Sequence, residues 1–360
     1  MRPENLRIER IAKEMKLDVE DVIKLAEDPR VGFARATMRP VEGKMRLITA
    51  PRRKRKMHYQ WLGTFLRREF GWHSAAHGSV PGRSPFTAAA RHLGSRNLLG
   101  RDVKDCFPSV KADRFYLEML ALGFQPDVAS LLTKLLLPDG YLPQGSPASN
   151  AALDLFFYRV DCDIQFELAE IAARYTRFTD GLDASFRRAS SAGTVGALIE
   201  RNLTRLGLTI NSRKLEKCGW QPVGTERVMS GVCVNSPSGT QLPTVTIKKI
   251  TTECEGLVRG ARSVAAHTLV GLARRRRRLQ GWLNQSSQAD FSPVREWQRH
   301  VRSADHLILT RLAFAKVVSN REWYTKGRDF DQAADLAAAW RHRRSGPTLL
   351  APSGEICCSA

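Results

Sequence analysis

The stretch Arg174-Tyr175-Thr176-Arg177-Phe178-Thr179-Asp180-Gly181-Leu182-Asp183-Ala184-Ser185-Phe186 decides how this chain folds. An aromatic, apolar run breaks at Asp180, turns at Gly181 and resumes with alternating character. That pattern predicts a β-hairpin with a carboxylate at its tip. Upstream, Leu99-Gly100-Arg101-Asp102-Val103-Lys104-Asp105-Cys106-Phe107-Pro108-Ser109 ends a second short apolar run on Asp102. Two carboxylates delivered to one sheet edge by different strands can hold divalent metals about 3.5–4 Å apart for phosphoryl chemistry. Taken singly, an Asp at a strand end is most often a cap or turn residue. The weight of Asp102 and Asp180 comes from their combination with the motifs around them.

Working outward, composition narrows the partners. The chain has 360 residues, 42% hydrophobic and 26% charged, enough for two or three packed subdomains of a globular protein. Lys and Arg total 57 against 36 Asp and Glu, a formal net charge of +21. In a folded protein this excess predicts a polyanionic partner, nucleic acid before a membrane surface. No apolar run reaches the roughly 18–20 residues that span a bilayer. Met1-Arg2-Pro3-Glu4-Asn5 lacks the apolar core of a signal peptide. A cytoplasmic protein with no membrane partner is expected. The scattered Cys include no C-x-x-C pair and suit a reducing compartment. The terminal Cys357-Cys358-Ser359-Ala360 superficially fits a prenylation tail, but Ser359 is a poor aliphatic position and chance explains the match. The His are dispersed, so no zinc site is expected.

Periodicity predicts the organisation. Residues 4–28 read as two short helices, either a lid on the core or a small helix-turn-helix. Residues 31–50 read as a hairpin turning at Glu42-Gly43. The run Arg52-Arg53-Lys54-Arg55 follows, then an amphipathic helix carrying Tyr59, Trp61, Leu62 and Phe65. Such a run is usually a solvated face. Here, wedged between hairpin and helix, Arg52, Arg53, Lys54 and Arg55 are candidates for phosphate contact. A Gly/Ser/Pro-rich loop (73–84), a helical span (111–137) and a long helix (148–168) flank the carboxylate strands. From residue 244 the chain is helical and strongly basic, with five consecutive Arg from Arg274 to Arg278. At about 100° per residue these cannot share one groove. Arg274, Arg275 and Arg278 are the candidates for backbone contact, and Trp282 for stacking on a base. Trp61, Trp72, Trp297, Trp323 and Trp340 read mostly as core. The expected segments are 1–100, 101–243, 244–343 and a flexible tail, 344–360.

Further motifs stand in order along the chain: Gly43-Lys44-Met45-Arg46-Leu47-Ile48-Thr49-Ala50-Pro51, Asp102 to Phe107, Pro143-Gln144-Gly145-Ser146-Pro147, and Gly207-Leu208-Thr209-Ile210-Asn211-Ser212-Arg213-Lys214. Each alone has a bland explanation: a core Phe, a turn Gly, a surface Lys. Together with Asp180 they resemble the reverse transcriptases of the bacterial retron type over about residues 6–235. The resemblance implies an α+β right-hand polymerase of fingers, palm and basic helical thumb. It implies Mg2+ at Asp102 and Asp180, Arg46 on the incoming triphosphate, and Phe107 against the ribose 2′-hydroxyl. It also implies Gln144 and Gly145 at the nascent base pair and Lys214 near the leaving pyrophosphate. The implied partners are a structured non-coding RNA, its DNA product, deoxynucleotides and an effector protein in antiphage defence. Two retron elements have drifted: Asn-Ala-x-x-His reads Ala88-Ala89-Ala90-Arg91-His92, and Val-Thr-Gly reads Met229-Ser230-Gly231.

The departure that matters is at the tip, where the family carries Tyr-Ala-Asp-Asp and this chain has Phe178-Thr179-Asp180-Gly181. Gly offers no ligand and makes positive φ freely accessible. Asp183 shares its strand face but lies about 6.6 Å further along. Two readings follow: an RNA-directed DNA polymerase with impaired activity, or an RNA-binding scaffold with a dead palm. A third, an RNA polymerase, is disfavoured by Phe107.

Overall fold

The computed structural model describes residues 2–41, 44–214, 219–236, 239–263, 269–286 and 293–318, and the short strands Leu349–Leu350 and Ile356–Cys357. Of the tail 344–360 only those two strands are described, and they pair antiparallel. The chain divides into two compact units, Met1–Thr240 and Gln241–Ala360.

The first unit is α+β. Helices α1 (Ile8–Met15), α2 (Val19–Glu27) and α3 (Pro29–Gly32) precede a hairpin of β1 (Thr37–Val41) and β2 (Lys44–Ile48). The hairpin's expected turn, Glu42-Gly43, lies outside the described residues. Helices α4 (Lys56–Phe70) and α5 (Pro85–Ala90) lead to strand β3 (Asn97–Asp102) and the single turn α6 (Cys106–Ser109). The span 111–137 is two helices, α7 (Ala112–Ala121) and α8 (Pro126–Leu136), separated where Gly123 takes φ +96°. Then come α9 (Ser149–Glu170), β4 (Arg174–Phe178), β5 (Gly181–Phe186), α10 (Ala192–Arg205), β6 (Trp220–Gln221), β7 (Val228–Met229) and β8 (Val232–Cys233).

The central sheet is antiparallel in the order β4-β5-β3-β6. Alternation along the strands divides its side chains between two faces. Leu182, Ala184 and Phe186 join the core that α9 and α10 share. Asp102, Thr176, Asp183 and Ser185 lie on the other face, and all but Asp102 are nevertheless buried. There His92 bridges the hairpin, its Nδ1 against Ser185 Oγ at 2.9 Å and its Nε2 against Thr176 Oγ1 at 2.8 Å. The drifted Ala-x-x-His element is therefore a buried strut behind the hairpin.

On the helix face, Arg177 is fully buried. Its guanidinium binds Asp161 of α9 through Nε (3.0 and 3.1 Å) and Nη2 (2.9 Å), and reaches Asp154, two turns away on the same face of α9, at 3.3 Å. Tyr175 donates to the same Asp161 at 2.8 Å, and the guanidinium lies 4.6 Å from the Phe157 ring centroid. A further bond, from Nη1 to the Thr179 carbonyl at 3.0 Å, reaches the hairpin tip. The long helix thus holds the tip through one side chain.

The second unit contains α11 (Thr244–Ser263), α12 (Leu269–Ser286) and α13 (Pro293–Val318), packed on one another through Cys254, Leu257, Leu279, Leu283, Trp297 and Val301. Trp297 Nε1 donates to Thr251 Oγ1 at 2.9 Å, which satisfies the buried indole.

Two stability predictions follow from this packing. Asp161→Asn leaves a buried guanidinium short of charge, so urea unfolding should show a loss of about 3 kcal/mol. Asp163→Asn, two residues away in an exposed pair with Arg205, should change stability by less than about 1 kcal/mol. For pH, burial pushes the His92 imidazole down to about 3. The unfolded chain then binds the extra proton below about pH 6.5, so this residue removes stability as pH falls from 6.5 toward 3. His92→Gln should flatten the fall in melting temperature over that window; an unchanged acid limb would contradict it.

Candidate active site

The register brings the two sequence-predicted carboxylates together. Asp102, the last residue of β3, pairs across with Gly181, the first of β5. Asp180 precedes Gly181, and its carbonyl accepts from Val103 N at 3.0 Å. Both carboxylates act on the buried Cys106 thiol. Its pKa is raised first by burial and then by Asp180 and Asp102. The Gly207–Asn211 motif closes the same corner. Val103 bridges Ile210, Asn211 N donates to the Asp102 carbonyl at 2.7 Å, and Asn211 Nδ2 lies 3.5 Å from Asp102 Oδ2. Lys214 ends a 3-10 turn, Ser212–Lys214, three residues on; its side chain lies outside the described residues.

The tip differs from expectation in one respect. The turn residues are Thr179 and Asp180, because Phe178 already pairs with Gly181. The positive φ falls on Thr179 (60°), and Gly181 is a strand residue without one. Positive φ at the first central residue alone is the pattern of a type II′ turn. A non-Gly residue is held there at a cost of roughly 1–3 kcal/mol. Two contacts impose it: the bond from Arg177 to the Thr179 carbonyl, and the loop before α5. That loop runs beside β4, with His77 N donating to Arg177 O and Arg177 N to Ala75 O, both at 2.7 Å. Gly78 then lies against the tip so closely that a Cβ would sit 2.3 Å from Thr179 N.

Gly181 adds no ligand to the pair. A Cβ built there meets only Phe178 O at 3.5 Å, so the backbone has room for a side chain. Asp183 is buried and accepts from Ser230 Oγ at 2.6 Å. Its pKa is raised to about 6 by burial, against the lowering effect of Ser230. The drifted Met-Ser-Gly element thus ties Asp183 down two residues from the tip. Among the described residues no group of three or more His, Cys, Asp or Glu could hold a metal.

Phe107 follows Cys106 into the wall of a cavity of about 490 Å³, which neither Asp102 nor Asp180 lines. Arg46, Gln144 and Gly145 line it too, so four sequence-predicted residues meet there, with Lys56 and Asn150 added. The hairpin reaches the Pro-Gln-Gly loop because Thr49 N donates to Gln144 O at 2.9 Å and Ile48 bridges Gln144. Gly145 is required at this crossing. Its φ is +118°, and a Cβ would lie 3.0 Å from Ile48 Cγ2. Arg46 pairs directly across from Arg39. Opposed like charges on one hairpin face are unfavourable without an anion between them. Sequence reading missed Arg39 because the register that opposes it to Arg46 follows from where the hairpin turns.

The basic candidates divide. Arg52, Arg53 and Lys54 are exposed in the turn before α4, and Arg55 is half-buried. Of the five-Arg run on α12, the side chains of Arg275 and Arg276 are described, and both are spoken for. Arg275 pairs with Glu253 at 2.6 Å and Arg276 grips Asp305 at 2.7 and 2.8 Å. The side chains of Arg274 and Arg278 lie outside the described residues. Lys249 sits 5.1 Å over the Trp282 ring.

Known proteins give the same direction. No protein-family model matches the chain. It is 31% identical over 215 residues to the retron Mx65 reverse transcriptase of Myxococcus xanthus, covering 55% of this chain and 50% of that one. It is 28% identical over 173 residues to the retron Ec86 reverse transcriptase of Escherichia coli, covering 48% and 54%. It thus spans about half the length of these curated relatives. Among solved structures, apo telomerase from Candida tropicalis overlays with TM-score 0.46 at 11% identity, covering 85% of this chain and 62% of that one. Telomerase from Candida albicans with a fragment of telomeric RNA gives 0.42 at 11%, covering 88% and 66%. The chain is a homologue of the retron reverse transcriptases, which are RNA-directed DNA polymerases.

The glycines offer a graded test of this geometry. Gly78→Ala and Gly145→Ala should each lower stability by more than about 1 kcal/mol in urea unfolding. Gly181→Ala should stay within about 0.5 kcal/mol. The reverse order would mean that the tip is not built as described.

Proposed function

We propose that this chain is a retron-like reverse transcriptase that binds a structured non-coding RNA and copies part of it into DNA. The observation that carries the reading is the convergence of Asp102 and Asp180 at one sheet edge, both acting on Cys106, the neighbour of Phe107 in a cavity that Arg46, Gln144 and Gly145 also line. Mg2+ suits the donor set, since it is commonly held by one or two carboxylates plus substrate phosphates, and Asp102 and Asp180 would hold it. Bound there, it would neutralise charge developing on the transferring phosphoryl group.

The protein's own groups take the remaining tasks. Arg46 and Arg39 neutralise the triphosphate and relieve their mutual repulsion in doing so. The Phe107 ring packs where a deoxyribose C2′ lies and excludes a 2′-hydroxyl by volume. Gln144 and Gly145 shape the floor under the nascent base pair, and Lys214 approaches the leaving pyrophosphate. Arg177 holds the tip so that Asp180 needs little reorganisation during transfer. Arg52, Arg53, Lys54 and Arg55 meet backbone phosphates. In the helical unit, Arg274 and Arg278 take that role ahead of Arg275, which is engaged by Glu253. The resemblance to retron enzymes implies a setting in antiphage defence, with an effector protein as partner.

A scaffold with a dead palm is the second reading, and Gly181 is the observation that favours it. Gly181→Asp separates the two. An Asp there would face Asp102 directly across the ladder, so the variant should be less stable in EDTA and recover with Mg2+. Primer extension on an RNA template should rise at least about tenfold over the parent, roughly 1.4 kcal/mol of barrier. Absence of DNA synthesis in both proteins, with no Mg2+-dependent stabilisation, would leave the scaffold.

A further inference from the structure

The sheet has a second functional end. Antiparallel pairing puts Asp102 and Gly181 at one edge and Asn97 and Phe186 at the other. Five residue steps separate them along β3, about 16 Å. At that far edge Arg96 immediately precedes Asn97, and Arg187 and Arg188 immediately follow Phe186. All three are exposed, and none has an ion-pair partner among the described residues. Arg174 starts β4 at the same end, also exposed, donating to the Arg91 carbonyl at 3.0 Å.

An aromatic side chain stands beside them. Trp220 on the edge strand β6 is 50% exposed, unlike the indole of Trp297, which is 1% exposed. Asn97 fixes it in place: its Oδ1 accepts from Trp220 Nε1 at 3.2 Å, while its Nδ2 donates to Arg187 O at 2.9 Å. One buried amide therefore ties the indole to the backbone of Arg187 at this end of the sheet. The indole N–H is satisfied, which leaves the ring's apolar face as what it offers. The backbone on the Arg96 side is held as well, by Arg227 Nη1 donating to Ser95 O at 2.5 Å.

We propose that Arg96, Arg187, Arg188 and Trp220 form a binding site for single-stranded nucleic acid at the palm edge opposite the catalytic carboxylates. Three exposed guanidiniums without an ion-pair partner among the described residues suit backbone phosphates, and an oriented, half-exposed indole suits a stacked base. A duplex would offer the phosphates but keep its bases stacked, so a single strand uses both features. The site does not depend on Gly181 or on whether the chain polymerises. It can hold a template or product strand away from the point of synthesis in either reading.

The test is fluorescence anisotropy of the full chain with a labelled 12-nucleotide single strand that has no hairpin, over a salt series. Arg96→Gln/Arg187→Gln/Arg188→Gln should weaken binding at least tenfold at low salt and flatten the slope of log K against log salt by about two, near 0.7 per lost phosphate contact. Trp220→Ala should weaken binding several-fold with the slope unchanged, and Trp220→Phe should restore most of it. Circular dichroism melting of each variant checks the fold; Trp220→Phe also reports on the aromatic face if Trp220→Ala proves unstable. Parent-like affinity and slope in the triple variant would overturn the proposal. So would loss of binding to anionic lipid vesicles with oligonucleotide binding unchanged, which would reassign the patch to a membrane surface.

Discussion

The arrangement rests on one buried cation. Arg177 joins two carboxylates of α9, an aromatic ring and the carbonyl of Thr179. Removing a charge from water in this way is unfavourable unless every donor finds an acceptor, and here a helix and a turn together provide them. Asp180 takes its position from that constraint. So does Thr179, whose positive φ would relax if the carbonyl bond or the Gly78 contact were lost. The strain at the tip is sustained by groups on the opposite face of the sheet from Asp102.

Much of this could be read in the sequence, because strand periodicity is local. The hairpin around Asp180 and the strand ending on Asp102 each follow from residues within a few positions of one another. What could not be read depends on partners distant in sequence. Nothing in its local sequence marks Arg177, whose partners Asp154 and Asp161 come from α9. Gly181 looked like the turn residue, but the neighbouring loop moves the turn back by one and gives the difficult φ to Thr179. The five-Arg run looked like a free cationic surface, yet Glu253 and Asp305, 22 and 29 residues from their arginines, neutralise two of its members. Trp220 passed without notice because nothing local tells a core Trp from one on an edge strand.

The same distinction bears on what Gly181 means. Nothing in the backbone requires a glycine there: φ is ordinary, and a side chain would meet only Phe178 O at van der Waals distance. Gly78 and Gly145, by contrast, are positions where a Cβ collides. The absence of a second tip carboxylate is therefore a chemical difference and not a structural necessity. Asp183 does not replace it, being buried and tied to Ser230.

The central claim is that Asp102 and Asp180 act together as one cation site at the edge of the nucleotide cavity. Electron paramagnetic resonance of Mn2+ in the presence of a deoxynucleoside triphosphate measures this without requiring turnover. The account predicts nucleotide-dependent Mn2+ binding by the parent, lost at least tenfold in both Asp102→Asn and Asp180→Asn and retained in Asp105→Asn. Equal Mn2+ binding in all four proteins would contradict it.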